Sequence, residues 1–234
     1  MSTTAVDLAV VGGGIIGLSI ARAAARRGLS VTLLERDRPG RAASRAAAGI
    51  LGPQLEARQP GPLLTLGLAS RALYPAFLHE LRQESGIDAD LRSEGTLLTA
   101  RSADGLAGLE RLAAFQSEAG LRLALLPPDE VLRREPSLAP GIAAGLHLPD
   151  DVSLDSARLL QALQRGARLA GVEIRGGSPV TRVTTAAGRV TGVEMAGGSL
   201  AAGAVVVAAG AWTAQVAVAG DRPLPSHPVR GQSL

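Results

Sequence analysis

The feature that most constrains this chain is a glycine-rich turn, Gly12-Gly13-Gly14 followed by Gly17, set between an apolar run and a helix-forming run. Val6 to Val11 is apolar on both faces, as a buried parallel strand is. Ile15 to Arg27 is rich in Ala, Leu and Arg, all good helix formers, and Gly28 stands where a helix commonly stops. Leu29 to Glu35 reads as the next strand, which completes a βαβ unit. Gly12, Gly14 and Gly17 spell G-x-G-x-x-G at its first turn. In such a unit the first glycine permits the tight turn, the second lets backbone approach a pyrophosphate, and the third lets helix and strand pack closely. The free N–H groups of the first helical turn, aligned with the helix dipole, hold phosphate. Glu35 ends the second strand about twenty residues on, where an acid accepts hydrogen bonds from ribose hydroxyls. An acid there argues against a 2′-phosphate and so against NADP. A glycine-rich turn with no ligand remains the alternative, and the motif does not decide between FAD and NAD.

Further along, Pro39 to Gly52 reads as a loop with a helical turn around Ala46 to Ala48. Leu64 to Glu84 is expected to be a long amphipathic helix closed by Gly86, and Thr96 to Ala100 a strand. Helices are expected at Ala103 to Ala119 and Asp129 to Glu135, and a weak strand at Gly145 to Leu148. Asp155 or Ser156 can cap a helix running to about Ala170, followed by a strand at Val172 to Arg175. Val180 to Thr184 and Val190 to Met195 flank Ala187-Gly188 as a hairpin. Ala204 to Ala208 reads as an apolar strand, with a helix starting near Trp212. The stretch from Pro228 to Leu234 reads as the beginning of another strand.

Composition narrows the chemistry. The 234 residues are 46% hydrophobic but only 2% aromatic, so the core must be built from Ala, Val, Leu and Ile. The abundance of Ala and Gly suits close helix-on-sheet packing, as in α/β folds. The pI of about 10.7 stands against a net charge of only +3 because every cation is Arg, which does not titrate below very high pH. The Arg residues are scattered, with no basic run and no aromatic interleaving, so no nucleic-acid partner is expected. The absence of Cys excludes disulfides, thiolate metal sites and thiol chemistry within these residues. No apolar stretch reaches the roughly 18 residues of a membrane span, and the N-terminus lacks the basic region of a signal peptide. The expectation is a cytoplasmic protein without membrane or metal sites. His79, His147 and His227 lack ligand spacing and read as surface or loop residues. Trp212 reads as a core or helix-start anchor and Arg230 as a solvated strand-end cation.

Three further stretches carry a family resemblance. Ala43-Ser44-Arg45-Ala46-Ala47-Ala48-Gly49-Ile50-Leu51, Val205-Val206-Val207-Ala208-Ala209-Gly210-Ala211-Trp212 and Pro228-Val229-Arg230-Gly231-Gln232 resemble segments of the D-amino-acid oxidase superfamily of flavoproteins. Within it, the likeness is greatest to the glycine oxidase branch of thiamine biosynthesis. The resemblance implies an α/β fold: a Rossmann-like FAD-binding domain with an inserted, incomplete α+β substrate domain. The division it implies is 1–86 and 146–225 for the FAD domain, 87–145 for part of the substrate domain, and 226–234 for the start of its continuation. It implies FAD as cofactor, with Gly12, Gly14, Ile15, Ile16 and Gly17 at the pyrophosphate and Glu35 and Arg36 beside the adenosine ribose. Ala43, Ser44, Ala48, Gly49 and Ile50 match the segment running toward the isoalloxazine ring, and Val180 matches a backbone contact to adenine. The lack of Cys excludes covalent flavin attachment through sulfur.

The implied reaction is hydride transfer from the α-carbon of a small amine such as glycine or sarcosine, the alternative being another oxidase or dehydrogenase of the superfamily, acting on sarcosine or a D-amino acid, or a non-catalytic FAD-binding fragment. The imine then hydrolyses, and oxygen accepts the electrons as peroxide; in the thiamine branch the imine of glycine feeds thiazole synthesis. Two departures stand out. Asp155-Ser156 occupies a place where relatives often have Asp-Pro. The chain also ends well before the family's substrate-gripping Tyr and Arg and its final glycine-rich flavin contacts. No residue here is therefore assigned as catalytic, and the chain by itself is expected to bind FAD without turnover. Homo-oligomerisation is left open.

Overall fold

The computed structural model describes residues 5–218, 226–229 and 231. The elements in chain order are β1 Val6–Val11, α1 Ile15–Ala25, β2 Val31–Leu34, α2 Ala43–Ala46, β3 Ile50–Leu51, α3 Pro53–Glu56 and α4 Pro62–Ser85. Then come β4 Thr96–Ala100, α5 Ala103–Glu118, β5 Ala124–Leu126, α6 Pro128–Arg134, β6 Ala144–Leu148 and β7 Val152–Ser153. The remainder is α7 Ser156–Leu169, β8 Glu173–Arg175, β9 Val180–Ala186, β10 Arg189–Met195, β11 Gly198–Val207, a 3₁₀ turn at Gly210–Gln215 and β12 Ala217–Val218. The chain is an α/β protein that divides into two compact units: 1–47, 80–89 and 156–234 in the first, 48–79 and 90–155 in the second.

The first unit is built on a seven-stranded sheet in the order β12-β9-β10-β11-β1-β2-β8. β8, β2, β1 and β11 run parallel, and β11, β10 and β9 form an antiparallel meander. The parallel strands are apolar throughout, since both faces are covered: Ala9, Val10, Leu33 and Leu34 are all buried. Helices α1 and α7 pack against each other, α1 through Leu18 and Ala21, α7 through Leu159, Leu160 and Leu163. The buried Arg22 of α1 is carried into this interface by Glu84, whose Oε2 accepts from Nε at 2.9 Å and Nη2 at 2.7 Å.

Hairpin pairing explains one difference from expectation. β11 begins at Gly198, six residues before the apolar run, because Gly198 to Ala201 pair with β10 before the strand turns to β1. The helix expected near Trp212 is instead the 3₁₀ turn.

In the second unit, β4, β6 and β5 form an antiparallel sheet in that order, with α5 and α6 packed on it. Leu146 and Leu148 are buried beneath Leu109 and Leu112 of α5. α4 opens on Pro62, which tolerates the first helical turn because its missing N–H would have no intrahelical partner. The helical turn expected at Ala46 to Ala48 lies earlier, at Ala43–Ala46, because Ala47 is already extended and Gly49 adopts φ +80°. A Cβ on Gly49 would also sit 1.9 Å from the Leu154 carbonyl oxygen. Strands β3, β5, β7 and β12 and the short α3 carry too few residues to have been read as periodic patterns. Of the expected strand at the chain end, residues 226–229 have no regular structure and Arg230 lies outside the described residues.

The tightest joint in the first unit is between α1 and the end of β1. A Cβ on Gly17 would lie 1.9 Å from the Gly12 carbonyl oxygen. Gly17→Ala is therefore expected to lower stability by about 2 kcal/mol through overpacking, measured by urea unfolding. A loss under about 0.5 kcal/mol, the range of an ordinary surface change, would show that α1 can shift freely.

Candidate functional site

The glycine turn sits at the C-terminal edge of the parallel strands, where open α/β sheets bind ligands. Gly12 has φ +112°, and a Cβ there would meet the Ala208 carbonyl oxygen at 2.3 Å. Only glycine fits between the ends of β1 and β11. Gly14 is the N-terminal flanking residue of α1 and supplies no side-chain cap. Ser44 supplies one from α2: its Oγ accepts the Ile15 amide at 3.1 Å. Glu35 holds the other side of the turn. Its Oε2 accepts the Gly13 amide at 2.7 Å and its Oε1 the Asp37 amide at 3.1 Å. The Gly40 amide closes the loop onto the Gly13 carbonyl at 2.8 Å. The amides of Gly14, Ile16 and Gly17 are left without an acceptor among the described residues, the usual condition of a first helical turn.

These residues border a cleft of about 300 Å³ lined by Gly14, Glu35, Arg36, Asp37, Arg38, Gly40, Arg41, Ala42, Ser44 and Trp212. It thus joins four of the residues singled out in the sequence: Gly14, Glu35, Arg36 and Ser44. Gly12, Ile15 and Gly17 form the turn behind them, Ile16 is 65% exposed on α1, and Ala43 opens α2. The side chain of Val180, at the start of β9, packs on the sheet core with Ala9, Val11 and Val183. Ala48, Gly49 and Ile50 belong to the second unit, where the Leu154 amide donates to the Gly49 carbonyl and Ile50 pairs with Ser153.

Sequence reasoning missed Asp37, Arg38, Gly40, Arg41 and Ala42 as cleft residues, and it read Trp212 as a core or helix-start anchor. Trp212 lines the cleft, and the Arg36 guanidinium lies over its ring at 3.7 Å. The signal was available: a parallel β11 beside β1 brings the residues after Val207 next to those after Val11. Ser156 donates its hydroxyl to the Ala47 carbonyl at 2.7 Å, a bond Pro could not make.

The family model for FAD-dependent oxidoreductases (DAO) matches residues 7–234. This chain belongs to that family. It is 36% identical over 238 residues to the glycine oxidase of Geobacillus kaustophilus, covering 97% of this chain and 60% of the relative. It is 34% identical to the bifunctional protein ThiO/ThiG of Synechocystis, covering all of this chain and 33% of the relative. The crystal structure of the G. kaustophilus glycine oxidase superposes with a TM-score of 0.87 over 91% of this chain and 57% of that one. The chain therefore spans roughly 60% of the length of the glycine oxidase it matches. Among the described residues no helix is long and apolar enough to cross a membrane.

The second unit holds a larger cavity of about 640 Å³, walled by Leu51 to Pro53, the 56–64 segment and Gly67, Ser70, Arg71 and Tyr74 of α4. A buried polar cluster stands at its wall. Asp151 accepts from the amides of Gln54 at 3.3 Å and Leu55 at 2.7 Å, and from Arg71 Nη1 at 2.7 Å. Gln54 and Gln116, both buried, exchange further bonds: Gln54 Nε2 donates to Gln116 Oε1 at 3.1 Å, and Gln116 Nε2 donates to the Gln54 carbonyl at 2.8 Å. Burial pushes the Asp151 carboxyl above the ordinary 3.8, against the opposing pull of the two amides and Arg71.

Removing this carboxylate takes the acceptor from two amides and leaves Arg71 with only the Gln54 Oε1 and the more distant Asp150. Asp151→Ala is expected to cost about 3 kcal/mol, measured by denaturant unfolding near neutral pH. A raised folded-state pKa means the native state binds the proton first as pH falls. The contribution of this titration is thus fully present below 3.8 and is lost as pH rises through the folded value. The stability gap between wild type and Asp151→Ala should widen toward acid; a gap that narrows there would contradict the assignment.

Proposed function

We propose that the protein containing this chain binds FAD in the cleft of the first unit and oxidises a small amino acid or amine, with glycine as the leading substrate. The observation that carries the reading is the turn itself: three amides without acceptors among the described residues at the start of α1, beside a glycine turn that Glu35 ties down through the Gly13 amide. Gly12, Gly14, Ile15, Ile16 and Gly17 would hold the pyrophosphate through backbone, as a helix N-terminus does. Glu35 keeps lone pairs on both oxygens beyond its two amide bonds, enough to accept ribose hydroxyls. Arg36 would border the adenosine, Val180 would meet adenine through its backbone, and Ala43, Ser44, Ala48, Gly49 and Ile50 would lead toward the flavin ring. When bound, the flavin supplies a two-electron acceptor for the substrate's α-C–H bond and returns the electrons to oxygen. The first unit would then be the FAD domain and the second part of a substrate domain.

The names of the relatives favour glycine and a place in thiamine biosynthesis. Oxygen uptake by the full-length protein should rise with glycine and exceed that with sarcosine or D-alanine. Turnover of D-alanine alone would move the assignment to another amine oxidase of the family, and flavin binding without turnover of any of the three would leave a binding protein. Glu35→Ala should weaken FAD binding at least tenfold, since a hydrogen bond to a charged group contributes about 1.5–3 kcal/mol. Equilibrium dialysis checks this, and unchanged affinity would remove Glu35 from the site.

A further inference from the structure

The residue after Glu35 is held in an unusual way. Arg36 has no carboxylate partner among the described residues, whereas its neighbour Arg41 pairs with Asp37 at 3.5 Å. What holds Arg36 is the face of Trp212, at 3.7 Å from the ring centroid. The backbone turn that carries the indole is itself tied down. The Ala208 amide donates to the Val11 carbonyl at 2.8 Å, tying the end of β11 to β1. The Trp212 amide donates to the Ala209 carbonyl at 3.0 Å, and Thr213 Oγ1 donates to the Gly210 carbonyl at 2.7 Å. Both Arg36 and Trp212 line the same cleft as Glu35.

A guanidinium is planar, with two faces and a rim of five N–H donors. A ring stacked on one face holds the plane without using the rim or the other face. A carboxylate partner would have occupied the rim and cancelled the charge. The pairing with Trp212 therefore orients a cation and leaves it available beside an acid that accepts hydroxyl groups. Adenosine matches this pair: ribose hydroxyls for Glu35, and a flat base with ring-nitrogen acceptors for Arg36.

We propose that Trp212 is a positioning residue for adenosine recognition: it stacks on Arg36 and holds it, with Glu35, as the adenosine-reading wall of the cleft. This rests on the proposed dinucleotide site. It goes further in assigning a role to the turn after β11 and in making the Arg36–Trp212 pair act as one unit.

Trp212 is the only Trp in the chain, so its fluorescence reports on this wall alone. ADP is the probe, because it carries the adenosine and pyrophosphate but no flavin to absorb the emission. ADP should change the Trp fluorescence of the 234-residue chain saturably. By calorimetry, Trp212→Leu should weaken ADP binding roughly three- to tenfold, the range of a partly desolvated cation–π contact. Trp212→Phe, which keeps an aromatic face, should recover most of that loss. Arg36→Gln should weaken binding to a similar degree and, being at an exposed position, leave the fold intact. The double variant Arg36→Gln/Trp212→Leu should be no weaker than Arg36→Gln alone. Losses that multiply in the double variant, or ADP binding unchanged in Arg36→Gln or Trp212→Leu, would overturn the positioning role while leaving the dinucleotide site standing. Failure of the wild-type chain to bind either FAD or ADP would remove the site and this inference together.

Discussion

The contact on which the first unit depends is the approach of α1 to the Gly12 carbonyl. With no side chain at Gly17, the helix starts against the end of β1, and the orphan amides of its first turn are placed at the sheet edge. The same economy operates on the other side of Gly12, where Ala208 fills the space a Cβ would need. Two strand ends and a helix start thus meet at backbone contact, and polar side chains are brought in from outside to finish the turn. Ser44 and Glu35 do so from opposite sides. The result is a loop whose conformation is fixed before any ligand arrives, so little ordering entropy remains to oppose binding.

The second unit solves a different problem with different means. Its α3 is a single turn, too short to be stable on propensity alone. Asp151 accepts the amides of Gln54 and Leu55 and so completes the helix start from a remote position in the chain. Arg71 binds both Asp151 and the Gln54 side chain, at 2.7 and 3.0 Å, which ties α4 to the same point. Buried polar groups are costly unless satisfied, and here each has partners. A cluster of this kind fixes one arrangement of the cavity wall, where an apolar contact would have tolerated several.

The sequence made the first unit far more legible than the second, and the reasons are physical. β1, α1 and β2 announce themselves because the parallel strands are buried on both faces and the glycines sit at fixed offsets between them. The hairpin of β9 and β10 was legible from Ala187-Gly188 and the β-rich runs on either side of it, although Ala187 itself takes φ +50°. The start of β11 was not, since Gly198 to Ala201 hold a single large apolar residue, Leu200, and show no periodicity, and pairing with β10 makes them a strand. Two-residue strands such as β3 and β7 exist through tertiary pairing alone. The polar cluster of Gln54, Arg71, Gln116 and Asp151 was invisible for the same reason: its members lie up to 97 residues apart and carry no local motif. For the cleft, the residues named from the motif were those bound to backbone geometry. Those missed, Arg41 and Trp212 among them, depend on how a loop and a neighbouring strand end fold back.

Glu35 joins these two levels. In the motif it is an acid about twenty residues after the glycines, read as a ligand for ribose. In the structure it is also an internal tie, bonded to the Gly13 and Asp37 amides. The two roles do not compete, because each carboxylate oxygen accepts more than one hydrogen bond. They reinforce one another. The amides hold the carboxylate in one rotamer at the cleft rim, and the carboxylate in turn holds the loop that carries Arg36 to the indole. An acid that only contacted ligand would have to be ordered on binding. One that also closes the turn is ordered by folding, so that recognition chemistry and local stability rest on the same side chain.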